Sequence, residues 1–258
     1  MTEPGETIDA FHRGAFRVVQ PKGRGHRAGM DAMLLASLVD DDGRNIRVAD
    51  LGAGAGAAGL AVASRLGRAQ VTLFERSPDM VAFAEKGLAL SENGHLANRI
   101  SIINADVALT GKARNAAGLT DSSFHHVIMN PPFNDGSDRL TPDPLKAEAH
   151  AMTEDLFETW LRTAGAIMIP GGQLSLIARP ESVGEIITAC GRRFGGIEIT
   201  AIHPRLGESA VRILVTAIKG SRARLTLRFP LVMHEQGAHQ FTPFVDDLNN
   251  GRIAYRRR

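Results

Sequence analysis

Short apolar runs alternate with helical stretches along most of this chain. Phe16-Arg17-Val18-Val19-Gln20 reads as a strand and Pro21-Lys22-Gly23-Arg24-Gly25 as a turn, after which Asp31 caps a short apolar helix from Ala32 to Val39. From residue 46 the alternation becomes regular. Ile46 to Leu51 is a buried strand followed by a glycine turn and the helical run Ala58 to Leu66, and Gln70 to Glu75 is a second strand. Ser77-Pro78 supplies an N-cap and a proline at the first helical position, opening a helix that Gly94 ends. Ile100 to Asn104 and His126 to Asn130 are the third and fourth strands. A long polar loop precedes the helical run Leu156 to Ala166, in which the spacing of Leu156, Trp160 and Leu161 places Trp160 in the core. Gln173 to Ala178 is a fifth strand and Val183 to Arg193 a helix. Ile197 to Ile202 and Val211 to Lys219 follow as two strands with no helix between them.

Strands alternating with helices predict an α/β fold: a doubly wound, Rossmann-like, seven-stranded sheet, mostly parallel, with an antiparallel edge hairpin. Three regions follow. Residues 1–45 form a cap with a basic hairpin and a short helix, its first seven residues loose. Residues 46–220 form the main domain. Residues 221–258 carry the weakest pattern and are expected to pack on that domain or trail from it.

Composition narrows the functional classes. The net charge is only +2, so where the positive charge lies matters more than its total. It gathers at Arg17 to Arg27, at Arg192–Arg193 and at Arg252 to Arg258. Aromatic residues make up 5% of the chain, which leaves one or two rings for any recognition of a base. The single cysteine, Cys190, excludes an internal disulfide and a cysteine metal cluster, and its apolar surroundings make it core filler. His125-His126 have no second pair at metal-ligand spacing, so no metal is expected. The first ten residues lack an apolar signal core, and no apolar run approaches the roughly 20 residues of a membrane span. A cytoplasmic protein without membrane partners is the expectation.

The candidate chemistry lies at strand ends. Asp50-Leu51-Gly52-Ala53-Gly54-Ala55-Gly56 follows the first regular strand, and its glycines let backbone approach a ligand closely. Such a turn alone also suits a dinucleotide or a plain strand-to-helix connection. Glu75, ending the second strand, can accept hydrogen bonds from ribose hydroxyls, and Asp106, after the third, from an adenine amino group. Asp50 would repel a pyrophosphate but suits the ammonium of an amino-acid cofactor. Together these segments resemble the S-adenosylmethionine site of class I methyltransferases. The resemblance implies cofactor contacts at Asp50, Gly52, Gly54, Glu75 and Asp106.

After the fourth strand stands Asn130-Pro131-Pro132-Phe133. The prolines remove two backbone donors and stiffen the turn. The Asn130 side chain and the Pro131 carbonyl can then act as paired acceptors for the two hydrogens of an NH2 group, localising a lone pair that ring conjugation would otherwise spread. The motif resembles the Asn/Asp-Pro-Pro-aromatic signature of methyltransferases acting on adenine N6, guanine N2 or a glutamine amide. That implies catalytic roles for Asn130, Pro131 and Phe133, with Phe133 stacked on the target and Pro132 in contact with it.

The stretch Gly29-Met30-Asp31-Ala32-Met33-Leu34-Leu35 resembles the segment ahead of the cofactor strand in bacterial enzymes that methylate adenine N6 in valine tRNA. It adds Asp31 to the implied cofactor set and RNA, specifically tRNA, as partner. Arg17, Lys22, Arg24 and Arg27 are the expected phosphate contacts. Two other readings stay open: a glutamine-amide or guanine-N2 methyltransferase on the same fold, and a non-catalytic RNA-binding scaffold.

Overall fold

The computed structural model describes residues 5–22, 29–40, 43–132 and 156–257. A hairpin of β1 (Glu6–Phe11) and β2 (Phe16–Pro21) leads to helix α1 (Met30–Ser37). Then come β3 (Ile46–Leu51), α2 (Ala57–Arg65), β4 (Ala69–Glu75), α3 (Pro78–Leu88), β5 (Ile100–Asn104), α4 (Gly111–Ala116) and β6 (Phe124–Met129). The second half runs α5 (Leu156–Ile167), β7 (Met168–Ala178), α6 (Val183–Cys190), β8 (Phe194–His203) and β9 (Arg212–Lys219). Two short strands, β10 (Thr226–Leu227) and β11 (Leu231–Val232), precede α7 (Pro243–Asn249).

The main sheet has the order β5-β4-β3-β6-β7-β9-β8-β10, with β11 also on β8. All neighbours are parallel except β9, which is antiparallel to both β7 and β8. The seven strands expected from the sequence are all present, and the sheet is nine-stranded because β10 and β11 cover the outer edge of β8. The β8–β9 hairpin is therefore not a bare edge. The chain winds outward from β3, first to β4 and β5 on one side and then to β6 and β7 on the other, and β3 is buried at five of its six positions.

Each face of the sheet has its own core. One packs α1 and α2 with Phe16, Val18, Leu73, Val245 and Leu248, so the N-terminal hairpin and α7 share a core with the sheet. The other packs Phe157, Leu161 and Ile167 of α5 and Ile186, Ala189 and Cys190 of α6 against Leu51, Val127, Met129 and Leu176. The tail closes on α1: Tyr255 N–H donates to Ser37 O (2.8 Å), and Arg256 pairs with Asp40 (2.7 Å).

Several local expectations are corrected. Residues from Glu6 onward are not loose but form β1, paired in register with β2, so the hairpin lies N-terminal of the basic turn. Asp31 does not cap α1, whose N-cap is Gly29. Helix α3 ends at Leu88, before Gly94, and Ser77 caps it as expected. Strand β7 starts at Met168 because extra residues bulge out between Met168 and Gln173 opposite Phe124 and His126. Gly171 has φ +76° there, and a Cβ on Gly172 would meet His125 O at 2.9 Å. Helix α4 has no apolar periodicity to announce it. Among the described residues no helix is long and apolar enough to cross a membrane.

Candidate active site

The carboxyl ends of β3, β4 and β6 stand side by side. Leu51 is in register with Phe74 on one side and Met129 on the other, so Gly52 and Asn130 leave the sheet as neighbours. The amides of Gly52 and Ala53 both donate to Phe74 O (2.8 and 3.0 Å), which folds the chain over the end of β4. Gly52, Gly54 and Gly56 all adopt positive φ (66°, 57° and 86°), a region unfavourable to side-chain-bearing residues. Gly56 then opens α2.

Glu75 organises this turn. Its Oε2 accepts from Gly54 N (2.9 Å) and its Oε1 from Ser77 N (2.8 Å), linking the glycine turn to the start of α3. An ionised carboxylate has about four acceptor positions, so capacity remains for ribose hydroxyls. Asn104 Nδ2 donates to Glu75 O and Arg76 O (2.8 and 3.0 Å), fixing the approach of β5. Asp106 follows, half-buried, its Oδ1 accepting from Ala108 N (2.8 Å).

Asp50 is buried beneath the turn, 2% exposed, and its Oδ2 accepts from Gly59 N (2.9 Å) in the first turns of α2. Burial pushes its carboxyl up to about 7, against the stabilising hydrogen bond from Gly59 and with a further push from Glu75. A cationic ligand above the turn would draw it back towards the ionised form.

Asn130 has a buried side-chain oxygen with no hydrogen-bond partner among the described residues. Leaving such an acceptor unmade costs roughly 1–3 kcal/mol, so it marks a place for a donor. Pro131 is buried beside it and Pro132 exposed. Phe133 lies outside the described residues, as do Arg24 and Arg27.

One contributor differs from its sequence reading. Trp160 on α5 is half-buried, and its benzo ring fills the space above Gly52: a Cβ there would collide with Cη2 and lie 3.1 Å from Cζ3. Helical spacing marks Trp160 as apolar-facing but cannot say that it faces the glycine turn.

Other expected site residues are placed elsewhere or already engaged. Arg17 exchanges backbone hydrogen bonds with the Asn93 side chain (2.9 and 2.7 Å), and its Nε lies 3.0 Å from Glu92. These partners follow the far end of α3, an 11-residue helix about 16 Å long that starts at the cofactor edge. Lys22 is exposed, its amide bonded to Gly5 O (2.8 Å). Asp31 does reach the carboxyl edge, where it pairs with Arg212 (2.9 Å) at the start of β9. His126 is held neutral by burial, pushed down to about 4, and Cys190 is pushed up to about 11 by burial. Among the described residues no cluster of three or more His, Cys, Asp or Glu side chains is placed to hold a metal.

The donor set fits S-adenosylmethionine. The turn offers backbone at left-handed glycines, Glu75 and Asp106 offer acceptors for ribose and adenine, and Asp50 offers a carboxylate poised to ionise. Asn130 adds an unpartnered acceptor beside them.

Known proteins support the same assignment. The chain is 26% identical over 192 residues to the tRNA1(Val) (adenine(37)-N6)-methyltransferase of Glaesserella parasuis, covering 74% of this chain and 75% of that protein. It is 29% identical over 143 residues to the release factor glutamine methyltransferase of Deinococcus radiodurans, covering 53% of this chain and 46% of that protein's length. A crystal structure from Agrobacterium tumefaciens, described as a predicted O-methyltransferase, is 63% identical with a TM-score of 0.78 over 88% of this chain and 99% of that one. The profile of the family "Methyltransferase small domain" matches residues 27–203. That span runs from just before α1 to the end of β8 and takes in the whole edge, so the chain belongs to the methyltransferase small domain family and is an S-adenosylmethionine-dependent methyltransferase.

Proposed function

We propose that this enzyme methylates an exocyclic amino nitrogen, specifically adenine N6 in a cytoplasmic tRNA. The observation that carries the reading is the buried Oδ1 of Asn130 beside Gly52, which has no hydrogen-bond partner among the described residues. S-adenosylmethionine, when bound, supplies a methyl group activated by a cationic sulfur. Asp50, Gly52, Gly54, Glu75 and Asp106 bind it. Asn130 Oδ1 and the Pro131 carbonyl accept the two amino hydrogens and turn the nitrogen lone pair out of conjugation. Phe133 and Pro132 hold the ring plane, so the chain contributes mainly proximity and alignment. As the nitrogen becomes cationic, both acceptors strengthen their hold on its hydrogens, and the surplus proton passes to water afterwards.

An oxygen target would need a base to remove its proton before or during attack. Among the described residues of this edge, Asp50, Glu75 and Asp106 are assigned to the cofactor, Asp31 is paired with Arg212, and Asn130 itself is not basic. This favours nitrogen over oxygen. Curated relatives carry adenine and glutamine-amide names, and both targets present a conjugated NH2 to such an acceptor pair.

The test is to incubate the protein with tritiated S-adenosylmethionine and either total RNA or protein extract, digest, and identify the labelled product. N6-methyladenosine from the tRNA fraction is expected. Label in N-methylglutamine or N2-methylguanosine would redirect the target while keeping the acceptor mechanism. A methylated hydroxyl would overturn it.

A further inference from the structure

The C-terminal extension, residues 221–258, has seven arginines against three carboxylates, an excess of four positive charges where the whole chain has two. Much of this charge is spent internally. Arg228 and Arg257 pair with the buried Glu198 (2.5 and 3.5 Å), and Arg252 with Asp246 and Asp247 (3.4 and 2.6 Å). Arg222 and Arg224 are exposed without a partner among the described residues. Arg256, its side chain 71% exposed, forms a surface ion pair with Asp40.

Arg228, Arg256 and Arg257 line a cleft of 560 Å³ together with Phe229, Phe244 and Tyr255, and Arg222 and Arg224 lie earlier on the same edge segment, ahead of β10. Phe229 is 87% exposed and Phe244 46%. The ring of Tyr255 is held between Phe244 (centroids 6.2 Å apart) and the Arg228 guanidinium, 5.2 Å from its centre. In a chain so poor in aromatics, three rings beside one cleft are a concentration, and two of them present open surface. Flat apolar faces beside three guanidinium groups, Arg228, Arg256 and Arg257, that share the carboxylates of Glu198 and Asp40 match single-stranded nucleic acid, whose bases stack while its phosphates take the surplus charge.

A second copy of the chain fits less well. A two-fold contact through this patch would bring its arginines together, and the nearby carboxylates of α7 are already taken by Arg13 and Arg252. The cleft wall β11 pairs with the carboxyl end of β8. From Asn130 this is four strand spacings along the sheet, ~19 Å at about 4.8 Å each.

We propose that this cleft is a second docking site for RNA, taking unpaired bases against Phe229 and Phe244 and phosphates on Arg256, with the strand continuing past the cleft onto Arg222 and Arg224. It rests on the RNA reading of the active site. The probe is a fluorescently labelled 12-nucleotide oligouridine, titrated by anisotropy against the full chain at several salt concentrations. The double variant Phe229→Ala/Phe244→Ala should bind it about tenfold or more weakly at every salt concentration. Arg222→Glu/Arg224→Glu should bind more weakly and lower the salt slope by about 1.4. Both should keep wild-type affinity for S-adenosylmethionine and raise the KM for RNA with kcat unchanged.

Unchanged oligouridine binding in both variants overturns the proposal. So does a wild-type dimer that Phe229→Ala/Phe244→Ala dissociates without affecting RNA affinity, which would assign the patch to self-association. The labelling experiment separates the two levels. Tritium in RNA with a cleft that does not bind sinks the cleft alone, whereas tritium only in protein sinks the RNA reading.

Discussion

Trp160 and Gly52, far apart in sequence, share one space: the benzo ring of Trp160 occupies the volume that a side chain on Gly52 would fill. The glycine is thus required twice, by its φ of +66° and by the indole above it. Trp160 is also the only tryptophan in the chain.

Its fluorescence should therefore report the cofactor. Titration with S-adenosylmethionine should change the emission of Trp160 and saturate at the concentration found by calorimetry. Calorimetric binding with unaltered emission would place the cofactor away from Gly52. Gly52→Ala should destabilise the protein by about 1–3 kcal/mol through overpacking and backbone strain, and weaken cofactor binding with it.

Glu75 serves the turn and is assigned to the ribose. Glu75→Ala should weaken cofactor affinity by roughly 1.5–3 kcal/mol, and Glu75→Gln by less because one acceptor oxygen remains. Equal affinities in wild type and Glu75→Ala would leave Glu75 with the turn alone. Calorimetry on folded variants decides it.

Asn130→Ala should slow methyl transfer by ~10²–10³ while cofactor affinity stays near wild type. An acceptor that strengthens as the target nitrogen becomes cationic acts on the rate more than on ground-state binding. Single-turnover rates beside cofactor titrations separate the two. A full-speed Asn130→Ala enzyme would refute the amino-group mechanism.

Asp50 makes stability depend on pH. Its folded value of about 7 lies above the ordinary 3.8, so the fold favours the protonated form. The contribution is full below pH 3.8 and is lost as pH rises towards 7, on the order of 4 kcal/mol in all. Asn in its place keeps an acceptor for Gly59 N–H without the charge. Cofactor-free Asp50→Asn should therefore be more stable than wild type in urea at pH 8, and about equal to it at pH 4. His12 and His126, both pushed down to about 4 mainly by burial, act oppositely, losing stability as pH falls from 6.5 through 4. They are common to both proteins, so the difference isolates Asp50. A pH-independent difference would mean that Asp50 stays ionised.

Local chemistry by itself determined the plan of the fold and the order of the site motifs. Strands β3 to β6 are short apolar runs bounded by turn residues, and those patterns act over a few neighbouring residues. A glycine turn after β3, acids after β4 and β5, and Asn-Pro-Pro after β6 fall on one edge once the strands are parallel, because every parallel strand ends on the same side. The short strands β10 and β11 had no such pattern: two residues are too few for alternation to show, and pairing with β8 defines them. Tertiary structure alone decided which groups meet across distance. Burial left Asn130 Oδ1 without a partner among the described residues and raised the Asp50 carboxyl; packing put Trp160 over Gly52; and Asn93 and Glu92 drew Arg17 to the far end of α3. Each depends on what surrounds a group in three dimensions, a quantity that neither spacing nor composition encodes.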